Sequence, residues 1–123
     1  MKLKTMLLKM ESDQPIPVFG DGSMQRDFTY IDDIVNGIVT SMERCKGYEI
    51  YNLGESQPVR LDVLICEIEK ALGTKAIINH LPVQPGDVKR TYADVRKAKE
   101  KLGYDPKTEI SVGLARFVEW LRT

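Results

Sequence analysis

Pro17-Val18-Phe19-Gly20-Asp21-Gly22-Ser23-Met24-Gln25-Arg26-Asp27-Phe28-Thr29-Tyr30-Ile31-Asp32-Asp33-Ile34-Val35-Asn36-Gly37 is the stretch on which the chain is organised. Val18 and Phe19 read as a short apolar strand, and Gly20–Ser23 as a turn whose glycines permit positive φ where the backbone reverses. A second strand is expected through Asp27–Ile31. Asp32 or Asp33 then caps a helix whose apolar stripe is Ile34, Val35, Ile38, Val39 and Met42. Arg26 stands where the second strand leaves the turn. With Phe19 it offers a guanidinium and an aromatic ring to a flat, anionic ligand.

Outward from that stretch, Leu3, Met6, Leu7 and Met10 recur at i, i+3, i+4 and i+7, which predicts an amphipathic helix over residues 2–12. Pro15 and Pro17 stop it. On the other side the first helix after the turn runs to about Arg44. Tyr48–Leu53 reads as a buried strand and Gly54–Pro58 as the loop leaving it. Leu61, Leu64, Ile65, Ile68, Ala71 and Leu72 trace a second helical face ended by Gly73, with Asp62 favouring the positive end of its dipole. Ala76–Leu81 is a strand, and Pro82–Arg90 a loop stiffened by two prolines. Asp94 is placed to cap a short helix, Val95–Leu102. Ser111 is placed to cap the last helix, whose apolar face is Leu114, Phe117, Val118 and Leu121. The expected fold is α/β, a small mixed sheet with flanking helices, in one domain over residues 1–123.

Composition narrows the function classes. Eighteen basic residues balance eighteen acidic ones, so no global field draws in nucleic acid or an anionic membrane. Local charge must carry any recognition. Cys45 and Cys66 lie far apart in sequence with no CxxC spacing, which favours reduced thiols over a disulfide or a metal site. Lysines interrupt the apolar residues of the first nine positions, giving neither a signal peptide nor a membrane span. A cytoplasmic protein is expected.

The run Val-Phe-Gly-Asp-Gly followed by Gln-Arg-Asp-Phe-Thr-Tyr-Ile-Asp-Asp-Ile-Val resembles part of the extended short-chain dehydrogenase/reductases. Within them it is most similar to NAD-dependent epimerases and dehydratases acting on nucleotide sugars, above all UDP-glucuronate 4-epimerases. Tyr51-Asn52-Leu53-Gly54, Gln84-Pro85-Gly86-Asp87-Val88 and Thr91-Tyr92-Ala93-Asp94 agree in order and spacing. So do Leu102-Gly103-Tyr104 and Phe117-Val118-Glu119-Trp120. The resemblance implies the C-terminal, substrate-binding end of such an enzyme, without the N-terminal Rossmann half.

That resemblance implies a UDP-sugar as ligand. Arg26 would meet its diphosphate or ribose, where a planar fork donor suits phosphate oxygens; the plainer alternative is a surface pair with Asp27. Phe19 would border the uracil, or belong to the core. Gln84 stands where many related epimerases carry a phosphate-holding arginine, and Asp87 would accept a ribose hydroxyl. Asn52 would approach the nucleotide, or bond its own backbone. His80, Asp32, Asp33 and Trp120 read as structural.

The intact family enzyme uses NAD, but no cofactor is expected in this chain. Gly20-x-Gly22 lacks the third glycine of a dinucleotide loop and leads into a strand. None of the five tyrosines has a lysine four residues on, so the Tyr-x-x-x-Lys acid–base pair of the resembling enzymes is missing. No catalytic residue is assigned. Catalytic silence alone, a homo-oligomer covering apolar surface, and completion in trans by a Rossmann-domain partner chain are the accompanying expectations. A relic that oligomerises without binding ligand is the rival.

Overall fold

Two proline-bounded strands and five helices account for most of the backbone order in the computed structural model, which describes residues 2–123. Their order is α1 (Leu3–Glu11), β1 (Pro15–Phe19), β2 (Gln25–Arg26), α2 (Ile31–Arg44), β3 (Val59–Arg60), α3 (Leu61–Leu72), β4 (Ile77–Leu81), α4 (Arg96–Leu102) and α5 (Ile110–Leu121). The expected single mixed sheet is instead two small ones. β1 pairs with β4 in parallel, Val18 opposite His80, and β2 pairs with β3 antiparallel, Arg26 opposite Val59. The Gly20 N–H donates to the Leu81 carbonyl at 2.8 Å. By alternation the Ile16 and Val18 N–H groups point the same way, toward β4, so the nitrogens of Pro15 and Pro17 lie on the outer side, where a missing N–H breaks no ladder bond.

The main core lies where α1, α3 and α5 meet β1. Leu7, Ile16 and Ile68 have no measurable exposure, and Met10, Leu64, Leu114 and Val118 are buried beside them. A second cluster joins Val95, Ala98, Leu102 and Tyr104 with Leu53 and Tyr51. α2 rests over that cluster through Gly37, where a Cβ would come within 2.9 Å of Leu53 and 3.0 Å of Tyr104.

Several expectations are corrected. The second strand stops at Arg26 rather than running through Asp27–Ile31, because its partner β3 is only two residues long. α2 begins at Ile31 with Tyr30 at its N-cap and no side-chain cap. Asp32 and Asp33 sit in its first turn instead, where they complement the dipole, and the Asp33 carboxylate accepts the Thr108 N–H at 3.2 Å. Tyr48–Leu53 is neither a strand nor buried: Tyr48 and Ile50 are exposed, and no strand among the described residues lies alongside to pair with it. α5 starts at Ile110, one residue before Ser111, so that hydroxyl arrives too late to cap. Asp94 comes nearer, accepting the Arg96 N–H at 3.1 Å from one position ahead of the α4 N-cap.

Candidate functional site

Arg26 points into a cleft of about 290 Å³ that also takes in Phe19, Gln84 and Asp87, over an apolar floor that includes Met6 and Leu64. The cleft falls here because β1 ends at Phe19 and the Gly20–Gly22 turn (φ 81° and 85°) folds the chain straight back into β2. The opposite wall is the loop after β4. Four of the five residues expected to meet a ligand therefore converge from three separate segments. Asn52 does not: it is exposed and lies off the cleft.

Arg26 is held rather than loose. One terminal nitrogen donates to the Gln25 carbonyl at 2.7 Å and the other to Asp87 Oδ1 at 3.2 Å. Both side chains keep about a third of their exposure, 33% and 30%, so this is a solvent-accessible pair worth little to stability. With a weak contact from the second nitrogen to Met24 Sδ at 3.9 Å, three of the five guanidinium donors are engaged along the cleft wall, leaving two for an anion.

The expected alternative of an Arg26–Asp27 pair is corrected. Asp27 turns away and accepts three backbone N–H groups, from Glu55 at 3.3 Å and from Ser56 and Ala93 at 3.0 Å each. Sequence reasoning missed this residue, since its donors lie 28, 29 and 66 positions away and no local signal marks them. Glu55 was missed as well. One of its carboxylate oxygens is buried without a hydrogen-bond partner, and burial, then the Asp33 and Asp27 carboxylates, push its pKa up to about 7 against a partial offset from Lys99. Nearby, the buried Tyr104 hydroxyl donates to the Gly54 carbonyl at 2.7 Å, and burial raises it to about 12.

Other charged and aromatic side chains nearby are engaged locally. Arg60 makes a two-point pair with Asp62 at 3.1 and 2.8 Å. His80 Nδ1 lies 3.2 Å from the Gly20 carbonyl, tying β4 to the glycine turn. Trp120 packs with its ring tilted, centroid 5.5 Å from that of Phe117, but stays largely exposed, beside a second, more apolar cavity of about 600 Å³ that adjoins the first at Leu3, Phe28 and Leu64. The glycine turn leads into β2 and not into a helix N-terminus, so it does not fit the pyrophosphate of a dinucleotide. Among the described residues no helix is long and apolar enough to cross a membrane.

A family model described as GDP-mannose 4,6 dehydratase matches residues 1–117. Over 105 residues the sequence is 51% identical to an uncharacterized protein of Methanocaldococcus jannaschii, covering 85% of this chain and 32% of that one. It is 44% identical over 109 residues to a UDP-glucuronate 4-epimerase of Thermodesulfobacterium geofontis, covering 88% and 33%. Among solved structures, the UDP-glucuronic acid 4-epimerase of Bacillus cereus in complex with UDP-glucuronic acid and NAD superposes with a TM-score of 0.84 at 36% identity, over 94% of this chain and 38% of that one. The chain spans about a third of the length of the curated relatives it matches.

Proposed function

The chain belongs to the GDP-mannose 4,6 dehydratase family, and on that premise we propose that it is the UDP-sugar-binding portion of an NAD-dependent nucleotide-sugar epimerase. The relatives named as UDP-glucuronate 4-epimerases support that reading. It corresponds to the substrate-binding end of such an enzyme and is catalytically silent alone, since it brings neither a dinucleotide loop nor a Tyr-x-x-x-Lys pair.

One observation carries the reading: Arg26, Phe19, Gln84 and Asp87 face one cleft. A diphosphate there would take the free guanidinium donors of Arg26 and compete with Asp87 for the shared nitrogen, a stronger pairing because the anion carries more charge and geometry suited to the fork. Asp87, released or shared, accepts a ribose hydroxyl. Phe19 offers a ring face to the base, and Gln84 a neutral donor where a fuller charge would otherwise sit. Asn52, exposed and off the cleft, reaches the nucleotide only if its loop closes over it.

Thermal-shift titration tests this. Ligand at one hundred times its dissociation constant stabilises a fold by about 2.7 kcal/mol. UDP and UDP-glucuronate are expected to raise the melting temperature and NAD to leave it unchanged. Arg26→Ala is expected to lose about 1.5–3 kcal/mol of UDP binding, the range for a hydrogen bond to a charged group. No response to any nucleotide would leave the relic reading in possession.

A second reading concerns partners. Ile31, Val35, Ile38, Val39 and Met42 on α2 are between 46% and 78% exposed, an apolar face larger than single scattered residues explain. That face favours a covering partner, either a second copy of this chain or a Rossmann-domain chain supplied in trans. Turnover of UDP-glucuronate appearing only on mixing with such a chain would single out the latter.

A further inference from the structure

We propose that Asp27 is a positioning residue for the cleft, holding its two walls together so that Arg26 is aimed at the ligand. The inference rests on the UDP-sugar reading above. Arg26 stands on one wall, on β2, while Gln84 and Asp87 stand on the other, in the loop after β4.

Two sets of bonds join those walls. The Gln25 backbone donates to the Lys89 carbonyl at 2.8 Å and accepts the Thr91 N–H at 3.2 Å. Immediately beyond Arg26, the Asp27 carboxylate accepts the Ala93 N–H at the end of the same loop, and with it the N–H groups of Glu55 and Ser56. These bonds to an ionised acceptor are roughly twice as strong as neutral ones. Glu55, Ser56 and Ala93 lie outside the named strands, and Asp27 fastens them to the end of β2 alongside the Gln25 bridge to Arg90. The packing is close. A Cβ added at Gly54 would lie 2.7 Å from Ala93 Cβ and 2.8 Å from Asp27 Oδ2.

Asn at this position keeps the shape but puts an NH₂ donor where an oxygen accepts, so at least one backbone N–H meets another donor. The loop carrying Asp87 then keeps only the Gln25 backbone bonds to the strand carrying Arg26, and the guanidinium loses part of its fixed direction.

Calorimetric titration of UDP into the wild-type chain, Asp27→Asn, Arg26→Ala and the double variant tests the inference. Asp27→Asn is expected to weaken UDP by about tenfold or more, and most of that loss is expected to vanish in the Arg26→Ala background, because residues acting through one another are not additive. A purely structural role would lower the melting temperature while leaving UDP affinity intact, or would add the same loss in both backgrounds. Either result overturns the inference. Should Asp27→Asn fail to fold, Gly54→Ala displaces the same carboxylate with its charge kept, and the same non-additive loss is expected. A wild-type chain without affinity for UDP overturns the functional reading and this inference together. Wild-type affinity undiminished in the Asp27 and Gly54 variants overturns this inference alone.

Discussion

Glu55 shows how much a single side chain depends on its surroundings. Its carboxyl ionises at about 7 because burial disfavours the charge and the Asp33 and Asp27 carboxylates stand near it. The folded pKa lies above the unfolded one, so between the two the folded chain keeps a proton that the unfolded chain has released. The stability this contributes is full below the ordinary carboxylate range and is lost as pH rises through 7. The melting temperature is expected to fall from the ordinary carboxylate value of 4.5 to about pH 7 and to level off above it, and Glu55→Gln, which keeps the neutral shape, to flatten that fall. A wild-type profile already as flat as the variant's would contradict it. Arg26, Phe19, Gln84 and Asp87 could be picked out from the sequence because each sits in a recognisable local run. Asp27 and Glu55 could not. Their surroundings are built by residues 28 to 66 positions distant in the case of Asp27, and by two other acidic side chains in the case of Glu55.

At the scale of elements, apolar periodicity separated helix from loop well but could not say which face finds a partner. α1 and α3 bury the residues that their spacing marks, whereas α2 carries an equally clear stripe and leaves it exposed. The two helices should therefore respond differently to truncation. Ile68→Ala in α3 is expected to cost about 2–5 kcal/mol, the range for a fully buried aliphatic side chain. Val39→Ala in α2 is expected to stay within about 0.5 kcal/mol in dilute solution, as at an ordinary surface site. Urea denaturation of both variants decides this, and equal losses would mean that α2 is covered. The strands were the least legible elements. Tyr48–Leu53 has the apolar content of a strand but pairs with no strand among the described residues, and β3 is marked only by its pairing with β2.

For the whole molecule the open surface of α2 is the outstanding feature. If a second copy covers it, sedimentation equilibrium should give a mass above that of one chain at micromolar concentration, and Ile38→Glu should return the monomer by placing a charge in an apolar contact. A monomer already in the wild type would rule out self-association and leave a different chain as the covering partner. A concentration-dependent cost for Val39→Ala would accompany the dimer, because stability is then linked to association.

Periodicity, proline placement and a handful of short runs were enough to place the helices α1, α2 and α3, the segments that become β1 and β4, and the family resemblance, since each rests on residues close together in the sequence. Only the tertiary structure decided that the sheet is two separate pairs, that Arg26 bonds to Asp87 rather than Asp27, and that Asp27 ties three segments together. Those outcomes depend on which distant groups arrive within hydrogen-bond reach, and backbone donors carry no mark in a sequence to say where they will be satisfied.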